Sequence, residues 1–354
     1  MMPLLMTTIM TLVPAESRGR FMGRISIVMA AVPALGTTLS GLILSLASWR
    51  FMFWLVLPIA IIMLIRGNRR LENIGETQNR PIDVSSVVLS AFGFGGVVFG
   101  LSLVGGSGIA ATQMWVALDA GALGIAAFVW RQLVLQRGER ALLDLRVFRS
   151  RNFTVAISLM TVMMAAMFGT IILLPIYMQN VLQLTPVATG MLMLPGGLLM
   201  GLIAPVVGRI YDTSGPRPLV IPGSIIVSAV LWSMTLLTEH TPVAMILLAH
   251  VALNLGLALM FTPLFTTALG SLGPKLYSHG SATVGAIQQV AGAAGTSLFI
   301  TIMSARSLEH MATGTVSLAA EAGGIRAAFL VGAIVSLAAI AGAFLVKRPS
   351  APMV

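Results

Sequence analysis

Apolar residues gather into eleven runs, at about 1–13, 22–46, 51–66, 84–104, 114–135, 153–176, 187–209, 219–237, 243–267, 281–304 and 325–346, separated by short polar gaps. About twenty residues of helix cross a bilayer core, so ten runs have the length of a span, with 51–66 at the short limit. The first run is half a span and reads as the tail of a helix whose start lies outside this sequence. In 22–46, Ser26, Ala30, Pro33, Gly36, Thr37, Ser40 and Gly41 fall on one side at helical spacing, and Ile, Val, Met and Leu take the rest. Lipid gives apolar side chains little reason to cluster, so membrane helices associate where small residues let backbones approach. The pattern therefore predicts that this helix packs through its small face. Gly197, Gly201, Ala204 and Gly208 repeat it on 187–209.

Basic residues fix the threading. If the gap 14–21 is cytoplasmic, alternate gaps are too, and eighteen of the 21 Lys and Arg fall on that side. Only Arg50, Arg306 and Arg326 are left outside. Two longer cytoplasmic gaps, 67–83 and 136–152, divide the chain. The expected order is 1–66, remainder of an N-terminal bundle; 67–83, loop; 84–135, inserted hairpin of two spans; 136–152, linker; 153–346, six-helix C-terminal bundle; and 347–354, cytoplasmic tail. The largest outer gap, 305–324, has room for a small surface helix.

Composition agrees with this map. Hydrophobic residues make up 57% of the 354 and charged residues 9%, against about 25% charged in soluble domains. The net charge of +10 lies in gaps between apolar runs rather than on a face with aromatics, which argues against a nucleic-acid partner. With no cysteine, disulfide frameworks and thiolate metal sites are excluded. HExxH, Walker and nucleophile-elbow sequences are missing, as is any carboxylate pair within the runs, so no enzyme is expected. The glycine cluster 93–100 (GFGGVVFG) lacks a βαβ context and reads as helix packing.

Few polar residues remain inside the runs. Asp119 is the only acid there, near the outer end of its span, where it either reaches interfacial water or serves proton coupling. His250 and Asn254 share a face four residues apart, suited to an interhelical hydrogen bond or to a pathway lining. Gln288 and Gln289, with Gly285 and Gly292, give their helix a polar, small-residue side. In the turn from Gly208 to Arg217, Asp212 is expected beside a helix start with Arg209 and Arg217 as ion-pair partners, while Gly215-Pro216 also makes a plain turn signal.

Taken in order, several stretches resemble one family. They are Pro14 with Arg18-Gly19; Val32-Pro33, Gly36 and Gly41; Trp49-Arg50-Phe51 with Phe53 and Pro58; Leu142 to Phe148; Pro175 to Gln179; Gly190; Leu194-Pro195-Gly196; the Gly208–Arg217 turn; and Ser281-Ala282 with Gln288-Gln289, Gly292 and Gly295. The order resembles the major facilitator superfamily, in its 14-helix drug:proton antiporter branch (EmrB/QacA type), beginning midway through that branch's fourth helix. The resemblance implies an all-α polytopic transmembrane bundle, the major facilitator fold with an incomplete N-terminal bundle, in which helix 22–46 packs against helix 187–209 across the bundle interface, small face on small face. It also implies an antiporter and packing motif at Pro33, Gly36, Thr37, Ser40 and Gly41, and a cytoplasmic gating turn at Gly208, Arg209, Asp212, Gly215 and Arg217. Thr37 stands where that motif usually has its second proline, Val32 replaces a glycine, and Ser40 replaces the first of a glycine pair. Asp119, His250, Asn254, Gln288 and Gln289 are the pathway or proton-linked candidates.

The function implied is proton-coupled efflux of hydrophobic or cationic small molecules across a bacterial plasma membrane, with the C-terminus cytoplasmic. The alternative is a truncated, transport-inactive membrane protein or part of a longer exporter. No cofactor or metal is expected, the energy source being the proton gradient. Expected partners are membrane lipid, the substrates and, in a Gram-negative source, envelope proteins.

Overall fold

The computed structural model describes residues 2–70, 83–103, 111–312 and 317–349. The eleven runs become α1 (Met2–Leu12), α2 (Arg18–Leu46), α3 (Arg50–Arg70), α4 (Val84–Leu103), α5 (Ala111–Leu135), α6 (Arg151–Ile176), α7 (Pro186–Ser214), α8 (Arg217–Met234), α9 (Val243–Gly270), α10 (Tyr277–Ala312) and α11 (Ser317–Ala343). Among the described residues nine helices, α3 to α11, are long and apolar enough to span a bilayer. α2, at 29 residues, has the length as well. Most of the loop predicted at 67–83 (71–82) and the end of the tail (350–354) lie outside the described residues.

Helix ends follow local chemistry. Ser150 caps α6 by accepting from Phe153 N–H, and Thr185 caps α7 by accepting from Ala188 N–H, with Pro186 at the first helical position. Gly215, at φ 79°, ends α7 in a conformation that glycine adopts without strain. One expectation is corrected. Among the described residues the 305–324 gap holds no separate surface helix: α10 runs on to Ala312 and α11 begins at Ser317. Residues 305–312 contain neither Gly nor Pro, and Arg306 pairs with Glu309 one turn on at 2.6 Å, so nothing stops α10 at the membrane edge.

α6 to α11 pack into one bundle, with α10 against α6 and α11, and α9 against α7, α8 and α6. Its core is apolar, with Phe153, Tyr177, Leu173 and Phe329 fully buried. α2 lies along α7, α1 leans on α10, and α3 touches mainly α2 and is exposed along its length. The glycine cluster works as a helix contact: α4 and α5 pair so closely that a methyl on Gly96 would stand 2.9 Å from Gly121 Cα, and one on Gly93 2.7 Å from Ile125 N. The resulting hairpin rests on α10, where the Ser297 hydroxyl donates to Leu101 O.

Candidate functional site

α2 and α7 meet along nearly their whole length. Gly19 faces Gly208, Gly23 faces Ala204, and Gly41 faces Pro186. A Cβ on Gly23 would lie 2.5 Å from Ala204 O, and one on Gly41 2.9 Å from Pro186 O. Side chains at these places would hold the backbones apart, so the small residues are what allow the contact. Within the resemblance motif only Gly41 is shown at this contact. Gly36 is exposed with open space at its Cβ position, and Ser40 is half-buried. Pro33 and Thr37 lie in α2, but their side chains fall outside the described residues. A buried hydrogen bond of 2.9 Å between the hydroxyls of Ser26 and Thr262 ties α2 to α9 as well.

The end of the molecule that carries the basic residues is fastened by side chains that satisfy helix termini. Asp212 accepts from the backbone N–H of Gly19 at 2.8 Å and of Arg20 at 2.9 Å, and so caps α2 from the end of α7. The expected pairing of Asp212 with Arg209 and Arg217 is not what the structure shows. Arg209 is exposed, and Arg217 donates instead to Val346 O at 2.9 Å and Phe344 O at 3.1 Å. The reason lies in the backbone. The first N–H groups of α2 lack intrahelical partners and draw the Asp212 carboxylate, while Arg217 goes to carbonyls just past the end of α11. Arg348 then closes the turn from outside, donating to Asp212 O and Thr213 O. Arg18 does the same for α1: it donates to Met10 O at 2.8 Å and Val13 O at 3.1 Å, and lies over the Tyr277 ring of α10.

A second polar network, missed in the sequence because its members are scattered, holds the base of the hairpin. Arg131 grips Asp83 through two bonds of 2.6 and 2.7 Å, Ser86 donates to the same carboxylate, and buried Gln132 joins Ser86 to Leu143 N–H in the linker. The Arg131 bond foremost, then Ser86, holds the Asp83 carboxyl well below the usual carboxylate range. Next in the chain, Asp144 N–H donates to His279 Nδ1 at the start of α10. Burial raises the Asp144 carboxyl, but Arg146 outweighs it and the net shift is downward.

Deeper in the membrane the candidates separate. His250 on α9 is buried, with Nε2 3.1 Å from the Met193 carbonyl of α7. Asn254 Nδ2 lies 3.2 Å from the same nitrogen and donates to His250 O at 2.9 Å. Gly196 makes room, since a Cβ there would stand 2.6 Å from His250 Cδ2. His250 thus makes the interhelical hydrogen bond, to α7, while the bonds shown for Asn254 stay within α9. Gln288 on α10 is half-buried with an amide nitrogen that has no partner among the described residues, and Gln289 is exposed. Asp119 is exposed on α5, on a face with Trp115 and Leu123, away from the α2–α7 contact. Among the described residues no group of His, Cys, Asp or Glu converges to hold a metal.

The sequence profile of the Major Facilitator Superfamily matches residues 1–296. Similar proteins include the lincomycin resistance protein LmrB of Listeria monocytogenes, 39% identical over 95% of this chain and 72% of its own length. The uncharacterized MFS-type transporter YcnB of Bacillus subtilis is 37% identical over 99% of this chain and 74% of its own length. A multidrug resistance protein B homolog of Mycobacterium tuberculosis is 29% identical over 81% and 53%. With an all-helical bundle, span-length helices and a profile match over most of its length, the chain belongs to the Major Facilitator Superfamily of membrane transporters.

Proposed function

We propose that the chain acts in proton-coupled efflux of antibiotic-like small molecules, hydrophobic or cationic, within the 14-helix drug:proton antiporter branch. The observation that carries this reading is the α2–α7 contact with its carboxylate clasp at Asp212. It is a backbone-to-backbone surface between the leading helices and the C-terminal bundle, made from residues that carry the family resemblance. Two helix sets joined along such a surface can rock about it, opening toward one side of the membrane and then the other. Two of the relatives bear drug-resistance names, one of them for lincomycin. On this reading the basic end faces the bacterial cytoplasm with the C-terminus, and the partners are lipid and substrate, with envelope proteins added in a Gram-negative source.

The test is lincomycin accumulation in everted vesicles from cells producing the chain. Uptake should rise when a proton gradient, acid inside, is imposed and fall when an ionophore collapses it. Uptake indifferent to the gradient removes the antiport reading, and no uptake in either condition favours the transport-inactive alternative.

A further inference from the structure

We propose that His250 is a proton-binding site of this chain, placed at the α7–α9 contact so that its charge state acts on the surface between α7 and α2. The proposal rests on the proton-coupled reading above and names the residue that takes the proton. Its first support is geometric. A carbonyl oxygen can only accept, so Nε2, 3.1 Å from Met193 O, must carry hydrogen in the neutral ring. Asn254 Nδ2, 3.2 Å away, then has no lone pair to meet on that nitrogen. The remaining lone pair is on Nδ1, which is buried without a hydrogen-bond partner among the described residues.

The second support comes from the facing helix. Thr189 lies one turn before Met193 on α7, 3% exposed, and its hydroxyl oxygen is likewise buried without a partner. Native interiors rarely leave such groups unmatched. The Nδ1 lone pair is the ring position that can take a proton, and the Nδ1–H so formed needs an acceptor, for which the partnerless Thr189 oxygen is the candidate. Nδ1 takes the proton from a hydronium ion and releases water, the ring becomes imidazolium, and Nε2–H keeps its bond to Met193 O.

Elimination is the third support. The helices packed against α9 are α2, α6, α7, α8 and α10. Their charged and titratable groups lie toward the ends: Arg18, Arg20 and Arg24 of α2; Arg151 of α6; Arg209, Tyr211 and Asp212 of α7; Arg217 of α8; Tyr277 and His279 at one end of α10 and Arg306, Glu309 and His310 at the other. Tyr177, just past α6, is spent on Thr238 O, and Glu239 and His240 precede α9 in its loop. Asp119, the other candidate, is exposed on α5. His250, eight residues into α9, is therefore the one buried imidazole or carboxylate among the described residues of these helices. Its partner segment, Met193 to Gly196, lies between the α7–α2 contacts at Pro186 and at Ala204.

Ring 15N NMR of the histidine-labelled chain in micelles tests this directly, with the signals of His240, His250, His279 and His310 separated by comparison with H250Q. The expected result is an Nε2–H tautomer at alkaline pH that converts to imidazolium on acidification, at a midpoint that saturating lincomycin moves. A ring that stays neutral from pH 9 to pH 5, or rests as the Nδ1–H tautomer, overturns the proposal whether or not the chain transports. In everted vesicles, H250Q should keep lincomycin equilibration and lose at least tenfold of its gradient-driven accumulation. Gradient dependence retained in H250Q would remove His250 while leaving the exporter reading in place. Gradient independence in the unaltered chain would remove the exporter reading and leave the NMR result to decide the site.

Discussion

Gly23→Ala and Gly36→Ala make a matched pair that weighs the α2–α7 contact. Both sit in α2, and both exchange gain about 1 kcal/mol of helix propensity from replacing glycine. At Gly36 the new methyl meets open space, so that gain stands alone. At Gly23 the methyl would come 2.5 Å from Ala204 O, where ordinary contact begins at 3.4 Å. The helices must part there by roughly 0.9 Å, an overpacking that costs about 1–3 kcal/mol. The difference between the variants isolates the contact from propensity and corresponds to a factor of about 5 to 150 in an equilibrium constant. Unfolding in mixed micelles, followed by far-UV dichroism against detergent denaturant, reads it. Gly36→Ala should equal or exceed the parent, and Gly23→Ala should fall below Gly36→Ala by that amount. Equal stabilities within about 0.5 kcal/mol would refute a backbone contact at this position.

Other expectations follow from the same geometry. Asp212→Ala removes the acceptor for Gly19 and Arg20 N–H, at about 0.5–2 kcal/mol for a helix cap; hydrogen exchange of those two amides should accelerate, and unchanged exchange would show that the cap is not formed. The Asp83 carboxyl is lowered from its ordinary 3.8, so the stability it lends is complete above that value and is lost only as pH falls through the lower folded-state value. Protection of the Ser86 amide should therefore hold from pH 7 to pH 4, and loosening centred near pH 4 would contradict the Arg131 clasp. A disulfide between Leu101→Cys and Ser297→Cys, made in a chain with no cysteine of its own, should leave lincomycin transport intact, because the hairpin rests on α10; a block of transport would show that hairpin and bundle must separate.

Helix number and the glycine packing of the hairpin were readable from spacing, and the pairing of α2 with α7 from the family resemblance, although of the strip read on α2 Gly36 meets open space and Gly23, outside it, makes a contact. The reason is that in lipid a strip of small residues has few other uses. The partners of the charged side chains were not. Asp212 and Arg217 are close in sequence and of opposite sign, which suggests an ion pair, yet each serves a helix terminus contributed by a distant segment. Sequence spacing carries no information on which terminus comes near. The Asp83–Arg131 pair was hidden for the same cause, its members standing 48 positions apart. Asp119 shows the limit from the other side. Its rarity within an apolar run marked it as a candidate, but position along a helix does not reveal which face is exposed.

The two ends of the α2–α7 contact differ in kind, and that difference bears on which opens first. At the basic end Asp212 contributes two hydrogen bonds from a charged acceptor, and Arg348 supports the same turn through its carbonyls. Together the two bonds amount to a helix cap worth about 0.5–2 kcal/mol. Toward the opposite end the contact at Gly41 and Pro186 is backbone against backbone, held by dispersion of about 0.1–0.2 kcal/mol per atom pair. Separating α2 from α7 at the basic end thus requires exposing a carboxylate and two amides. The seam is latched there by charge. Any species that opens the basic end has to replace the Asp212 bonds, and water entering from that side is chemically able to do so.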